Sequence, residues 1–162
     1  NWAVFDRTWY GRVLVERIEG FCNNAAWKRA YREINEFERQ LTDDGVRLIK
    51  LLVHVSADEQ KRRMLTRLKK PHKHYKVALE DFRNIAKREE YLKAYDDMLE
   101  LTDTHHAPWH VIATDNKMHA RIKGLKIIID ELSRDLTITD RALDPRIVEA
   151  AFEMWGWKPG KK

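Results

Sequence analysis

From Ala25 the apolar residues Trp27, Ala30, Tyr31, Ile34, Phe37 and Leu41 recur at intervals of three and four, which predicts a helix that Gly45 terminates. Residues 46–55 are apolar, with β-branched Val and Ile among them, except for Arg47, Lys50 and His54, the pattern of a strand covered on both faces. Ser56 with Glu59 three residues on has the capping-box spacing and opens a helix to about residue 68. Pro71 ends that helix, and residues 69–76 form a polar, Lys- and His-rich connection expected to be mobile and outside the core. Phe82, Ile85, Ala86, Leu92, Tyr95, Met98 and Leu99 predict one long helix stopping before Thr102, and Pro108 introduces a short strand over 109–113. Met118, Ile122, Leu125, Ile129 and Leu132 make the cleanest helical stripe in the chain. Asp144 as N-cap and Pro145 at the first helical position open a last helix ending near Gly156. At the start, residues 2–5 predict a short buried strand ending in Asp6-Arg7, followed by a helix over 10–18 in spite of Gly11.

Strands alternating with helices predict an α/β fold with a parallel sheet and crossover helices. Three strands are few for such a sheet, so at least one more is expected upstream of residue 1, which is Asn rather than Met. The 162 residues suit one domain, and 43% hydrophobic residues with six Trp supply a core without disulfides or metal. Cys22 is the single cysteine, which excludes an internal disulfide framework and a thiolate zinc site. No apolar run approaches the roughly 20 residues of a membrane helix, and no signal peptide opens the chain. These features predict a cytoplasmic protein that does not engage a membrane.

Charge sharpens the picture because it is concentrated. Between Lys61 and Lys76 stand Lys61, Arg62, Arg63, Arg67, Lys69, Lys70, Lys73 and Lys76, eight cations with no acid among them. The chain's formal charge of +5 therefore leaves −3 for everything else, the distribution of a dedicated polyanion contact. Arg63 and Arg67 are four apart and share a helix face, so both can grip one anion, while lysines on the connection can track a polyphosphate or nucleic-acid backbone. A solvated helix face is the alternative for this segment. Asp6-Arg7 lies where open α/β sheets collect ligands, at the carboxyl end of a strand. Its carboxylate suits Mg²⁺ and its guanidinium suits phosphate oxygens, although an acid capping the next helix would look the same.

These residues together resemble a known family. The block running from Phe5 through Asp6-Arg7-Thr8-Trp9-Tyr10-Gly11-Arg12 to Gly20-Phe21 is similar to the Walker B region of the type 2 polyphosphate kinases. Glu59-Gln60, Arg63, Arg67, Pro71, Tyr75-Lys76 and Asp81 resemble the family's lid, with Tyr75 where Trp is usual. Thr102-Asp103-Thr104, Ala107-Pro108-Trp109, Asp115, Lys117 and Ala120-Arg121 resemble its closing segment. The resemblance implies a P-loop kinase-like parallel sheet flanked by helices, with a helical lid over about 61–81, occupying residues 1–135, and a C-terminal extension over 136–162. It implies phosphoryl transfer between inorganic polyphosphate and AMP or ADP with Mg²⁺. Asp6 would be the metal carboxylate, Arg7 a catalytic contact to phosphate or nucleotide, Arg63 and Arg67 the catalytic lid arginines, and Arg12, Lys69, Lys70, Lys73 and Lys76 would contact substrate. The Tyr-Gly-Arg block looks more like the branch acting on nucleoside monophosphates.

One departure matters. The family's Gly-rich Walker A loop is missing, since the six glycines, at 11, 20, 45, 124, 156 and 160, include no phosphate-cradle spacing. The loop and its strand are expected upstream of Asn1, and the chain alone is expected to be inactive. The competing expectation is a noncatalytic module that binds a polyanion or nucleic acid. His72, His74, His105 and His106 suit solvated or phosphate-facing positions better than a metal site. Trp155 and Trp157 suggest a docked end, and a homo-oligomer is expected.

Overall fold

The computed structural model describes residues 2–137 and 141–160. Residues 138–140, 161 and 162 of the expected extension lie outside the described residues, as does Asn1. Residues up to Leu132 form one compact unit and those from Ser133 a second. Mixed α/β architecture with a small parallel sheet is what the first unit shows. A 3₁₀ turn over Trp9–Arg12 leads into α1 (Val15–Glu19) and α2 (Asn24–Asp43); then follow β1 (Lys50–His54), α3 (Ala57–Lys69), a 3₁₀ turn over Pro71–Lys76, α4 (Leu79–Ala86), α5 (Arg88–Thr102), β2 (Trp109–Ala113) and α6 (Lys117–Ser133). In the second unit α7 spans Pro145–Trp155, with Asp144 accepting from the Arg146 amide and Gly156 in the left-handed conformation, the start and stop read from the sequence.

β1 and β2 pair in parallel, Lys50 opposite Trp109 through His54 opposite Ala113. Parallel pairing demands a long crossover, and α3, α4 and α5 supply it. Ala30, Tyr31 and Ile34 of α2 pack with Met98 of α5 and with Tyr10 and Val13 of the first turn to form the core. Inside that core sits an ion pair. Lys50 Nζ donates to Glu38 Oε2 (2.8 Å), to the Tyr10 hydroxyl (3.1 Å) and to the Thr102 carbonyl (2.7 Å). Trp9 Nε1 and the Tyr10 hydroxyl donate to Glu38 Oε1 at 3.0 and 2.7 Å. Every ammonium proton is thereby used, the condition under which a buried charge is tolerated.

Several expectations are corrected. Residues 2–5 form no strand: they have no ladder partner among the described residues and leave Trp2, Val4 and Phe5 exposed. An apolar run becomes a strand only where ladder partners meet its N–H and C=O groups. The expected strand over 46–55 shrinks to β1, and Val53 at 64% exposure shows that it is not covered on both faces. The helix expected over 10–18 is a 3₁₀ turn followed by α1. The long helix expected from Phe82 breaks at Lys87, whose ammonium reaches the Ile18 carbonyl and Glu19 (each 3.2 Å), so a tertiary contact at the end of α1 sets the break. The connection over 69–76 does lie outside the core, and within it residues 71–76 form a 3₁₀ turn with no buried residue. The α6 stripe leaves Met118, Ile122, Leu125 and Ile129 exposed, because an apolar face is buried only where another element lies on it. Among the described residues the sheet has two strands. No helix of these residues is long and apolar enough to cross a membrane.

Candidate functional site

Both strands deliver their carboxyl ends to the same edge of the sheet, and the turns that follow are stapled together. Thr114 donates from its amide (2.7 Å) and its hydroxyl (2.9 Å) to the His54 carbonyl. The Ser56 amide donates to Asp115 Oδ1 (2.8 Å), while Ser56 Oγ accepts from the Glu59 amide and caps α3. Asn116 Oδ1 caps α6 by accepting from the Met118 and His119 amides. The capping box is therefore half made, since the Glu59 side chain turns away from Ser56.

Glu59 instead binds two arginines. Arg62 donates to it at 2.5 and 2.6 Å and Arg63 at 2.7 Å. These hydrogen bonds, Arg62 first, hold the Glu59 carboxyl down at about 2, against an ordinary value of 4.5. A depressed acid stabilises the fold fully above its unfolded value, and that stabilisation is lost as pH falls from about 4.5 toward 2. Wild type is therefore expected to lose more thermal stability over that interval than Glu59→Gln; parallel profiles of melting temperature against pH would show that the pairing is not formed in solution.

Arg63 also donates to the Thr114 carbonyl and to the Asp115 carbonyl (3.2 Å), so it clamps α3 to the end of β2. Among the described residues Arg67, one turn on, donates only to the Lys76 carbonyl (3.3 Å). The pair read from the sequence as one anion grip thus divides into an engaged guanidinium and a freer one. Lys69, Lys70 and Lys76 are exposed around the 3₁₀ turn, with the Lys76 ammonium 5.3 Å from the Tyr75 ring centre.

Beside the end of β1 lies a cavity of about 300 Å³ lined by Arg7, Asn84, Arg88, Tyr91, Tyr95 and residues 53–55, among others. Arg88, which sequence reasoning missed, donates to Gln60 Oε1 and to the Val55 carbonyl, each at 2.7 Å. It opens α5, directly after the break at Lys87, and no motif marked it. Burial raises the Tyr91 and Tyr95 phenols, and the positive charge of Arg7 opposes the shift at both. Arg7 has φ of 61°, a left-handed conformation that costs a non-glycine residue on the order of 1 kcal/mol and marks a constrained position. Asp6 is exposed and has no side-chain partner among the described residues. The capping alternative for Asp6 passes to Thr8, whose Oγ1 accepts from the Tyr10 amide at 3.5 Å. Arg12 lies elsewhere: it pairs with Glu16 (3.0 Å) beside a separate groove of about 420 Å³ that it shares with Arg29 and Phe37.

The family model of polyphosphate kinase 2 (PPK2) matches residues 1–139. The chain belongs to the polyphosphate kinase 2 family. Among relatives of this PPK2 chain, the polyphosphate:AMP phosphotransferase of Acinetobacter johnsonii is 49% identical over 133 residues, covering 82% of this chain and 28% of the relative. The ADP-polyphosphate phosphotransferase of Pseudomonas aeruginosa is 36% identical over 130 residues, 80% of this chain and 43% of the relative. The crystal structure of polyphosphate kinase 2 from Arthrobacter aurescens TC1 superposes with a TM-score of 0.80 at 36% identity, covering 93% of this chain and 54% of that one. The PPK2 chain thus spans between about a quarter and a half of the length of these relatives.

Proposed function

We propose that this chain is part of a kinase that moves a phosphoryl group between inorganic polyphosphate and a nucleotide, AMP or ADP, on a P-loop kinase-like fold. The observation that carries the reading is the convergence of Arg7, Arg88 and Arg63, with Arg67 one turn beyond, at the carboxyl ends of two parallel strands. Phosphoryl transfer needs placement and charge stabilisation more than covalent help, and guanidinium forks supply both. Arg67 and Arg7 act on the transferring phosphates, and Lys69, Lys70, Lys73 and Lys76 hold the polymer as mobile point charges. Arg12 contacts substrate from its own groove. The higher identity to an AMP phosphotransferase than to an ADP enzyme, together with the Tyr10-Gly11-Arg12 block, supports a nucleoside monophosphate acceptor. Residues 1–135 with a lid over 61–81, followed by an extension over 136–162, is the domain division this reading adopts, and it places the enzyme in the cytoplasm as a homo-oligomer, for which light scattering is the check.

Magnesium fits the residues present. Among the described residues no group of three metal-ligating side chains exists, and Asp6 is a single exposed carboxylate with no competing partner. Magnesium asks for no more than one or two carboxylates when phosphate oxygens complete its shell. Asp6 would hold it, and the ion would neutralise charge developing on the phosphates.

The test is an initial-rate assay on the product of the native reading frame containing these residues, with polyphosphate, magnesium and AMP or ADP. Arg67→Ala is expected to lower turnover by about 10²-fold or more, the cost of one lost donor to a developing charge, with a smaller change in nucleotide KM. An unmutated protein that turns over no nucleotide yet binds polyphosphate or duplex DNA would establish the noncatalytic module instead.

A further inference from the structure

Two helices leave the sheet edge carrying matched pairs of cations. Arg63 and Arg67 are four apart on α3, and Lys117 and Arg121 are four apart on α6, so each pair shares a helix face. The strands that feed these helices are parallel neighbours in register, and Arg63 reaches the Asp115 carbonyl two residues before Lys117. The 3₁₀ turn folds back on α3, with His74 Nε2 2.9 Å from the Leu68 carbonyl and Arg67 on the Lys76 carbonyl, which brings Lys73 to the same side. The crowding has an electrostatic consequence: the Lys117 ammonium is pushed below the ordinary lysine range, chiefly by Arg63, then by burial, Lys73, Arg121 and Arg67.

The nearby acids, two carboxylates, offset only part of this charge. Glu59 is taken up by Arg62 and Arg63, and Asp115 accepts from the Ser56 amide. Arg67, Lys73, Lys117 and Arg121 form no ion pair among the described residues. Unbalanced cations held together by three separate elements repel one another until a multivalent anion lies across them. Each i, i+4 pair extends about 6 Å along its helix, longer than one phosphate group.

We infer that Lys117 and Arg121 of α6 join Arg67 and Lys73 in one track that binds a linear polyphosphate chain. The track rests on the kinase reading for the identity of the polyanion. Its α6 half lies outside the basic run of the sequence, because α6 begins some 40 residues beyond that run and only the parallel pairing of β1 with β2 brings the two helices together.

Equilibrium binding of an end-labelled linear polyphosphate, followed by anisotropy at several salt concentrations, tests the track on the product of the native reading frame. Lys117→Gln and Arg121→Gln are each expected to weaken binding at low salt by up to about fivefold. Each is expected to lower the slope of log K against log salt by about 0.7, the value per contact for single-stranded nucleic acid. Lys117→Arg should keep both, and Lys93→Gln, on the exposed side of α5, should change neither. If the Lys117→Gln, Arg121→Gln double variant binds polyphosphate with wild-type affinity and slope, the track is wrong while the kinase reading stands. If the unmutated protein binds duplex DNA as tightly as polyphosphate at equal phosphate concentration, the kinase reading fails and the track with it.

Discussion

Asp6→Asn, made in the product of the native reading frame, is expected to leave the protein folded and to remove nearly all phosphoryl transfer. The side chain is exposed and makes no hydrogen bond or ion pair among the described residues, so its replacement by a carboxamide of the same shape takes nothing from the fold. The change does remove the carboxylate that, on the proposed reading, would hold magnesium beside Arg7. Loss of a single preorganised electrostatic contact costs about 10²–10³-fold in turnover, and loss of the residue that holds an ion costs at least as much. The melting temperature of the variant should match that of wild type, while its rate falls by at least that factor at every magnesium concentration that saturates wild type. Near-wild-type turnover at limiting magnesium would take Asp6 out of the machinery altogether.

Lys50→Met is expected to destabilise the protein by about 3–5 kcal/mol, the cost of leaving a buried charge without its partner. Glu38 is 0% exposed and Lys50 6%, and both carboxylate oxygens of Glu38 are committed, one to Lys50 and the other to Trp9 and Tyr10. Removing the ammonium leaves that carboxylate in the core with two neutral donors. The burial that lowers the Lys50 ammonium, partly offset by Glu38, reports the same desolvation. For a chain of this size the loss corresponds to roughly 6–20 °C in Tm. Adding Glu38→Gln to Lys50→Met should recover part of the stability, because a carboxamide still accepts from Trp9 and Tyr10 but carries no charge to strand. Denaturant titrations of the four proteins measure this coupling. Additive losses, or a single-variant loss below about 1 kcal/mol, would mean that water reaches the pair. The effect extends to the site, since Trp9 and Tyr10 follow Asp6-Arg7 after one residue, Thr8, and this network anchors their turn to the core.

What the sequence determined by itself is what short-range forces decide. The α2 face ending at Gly45, the Ser56 cap on α3, the strand over 109–113 after Pro108, and the Asp144-Pro145 start and Gly156 stop of α7 depend on residues within a turn or two of one another. The family blocks were legible for the same reason, as short ordered runs. Tertiary structure alone decided the rest. Residues 2–5 carry the apolar run of a strand and do not become one, because strand formation is settled by a pairing partner. Lys50 looked like a polar interruption in an apolar strand; its partners Glu38 and Thr102 are 12 and 52 residues away, and only packing makes the position suitable for a charge. Arg88 carries no local signature, and although Lys117 and Arg121 belong to a family block, nothing local joins them to Arg67 and Lys73, since these meanings depend on which strand end and which other cations face them. Arg63 and Arg67 looked equivalent on one helix face and differ only because the end of β2 lies within reach of the first. Coulombic and hydrogen-bonding partners are chosen by distance in space, and the parallel pairing of β1 and β2 sets that distance for Arg63 and the α6 cations, as the packing of α2 and α5 does for Lys50 and Arg88.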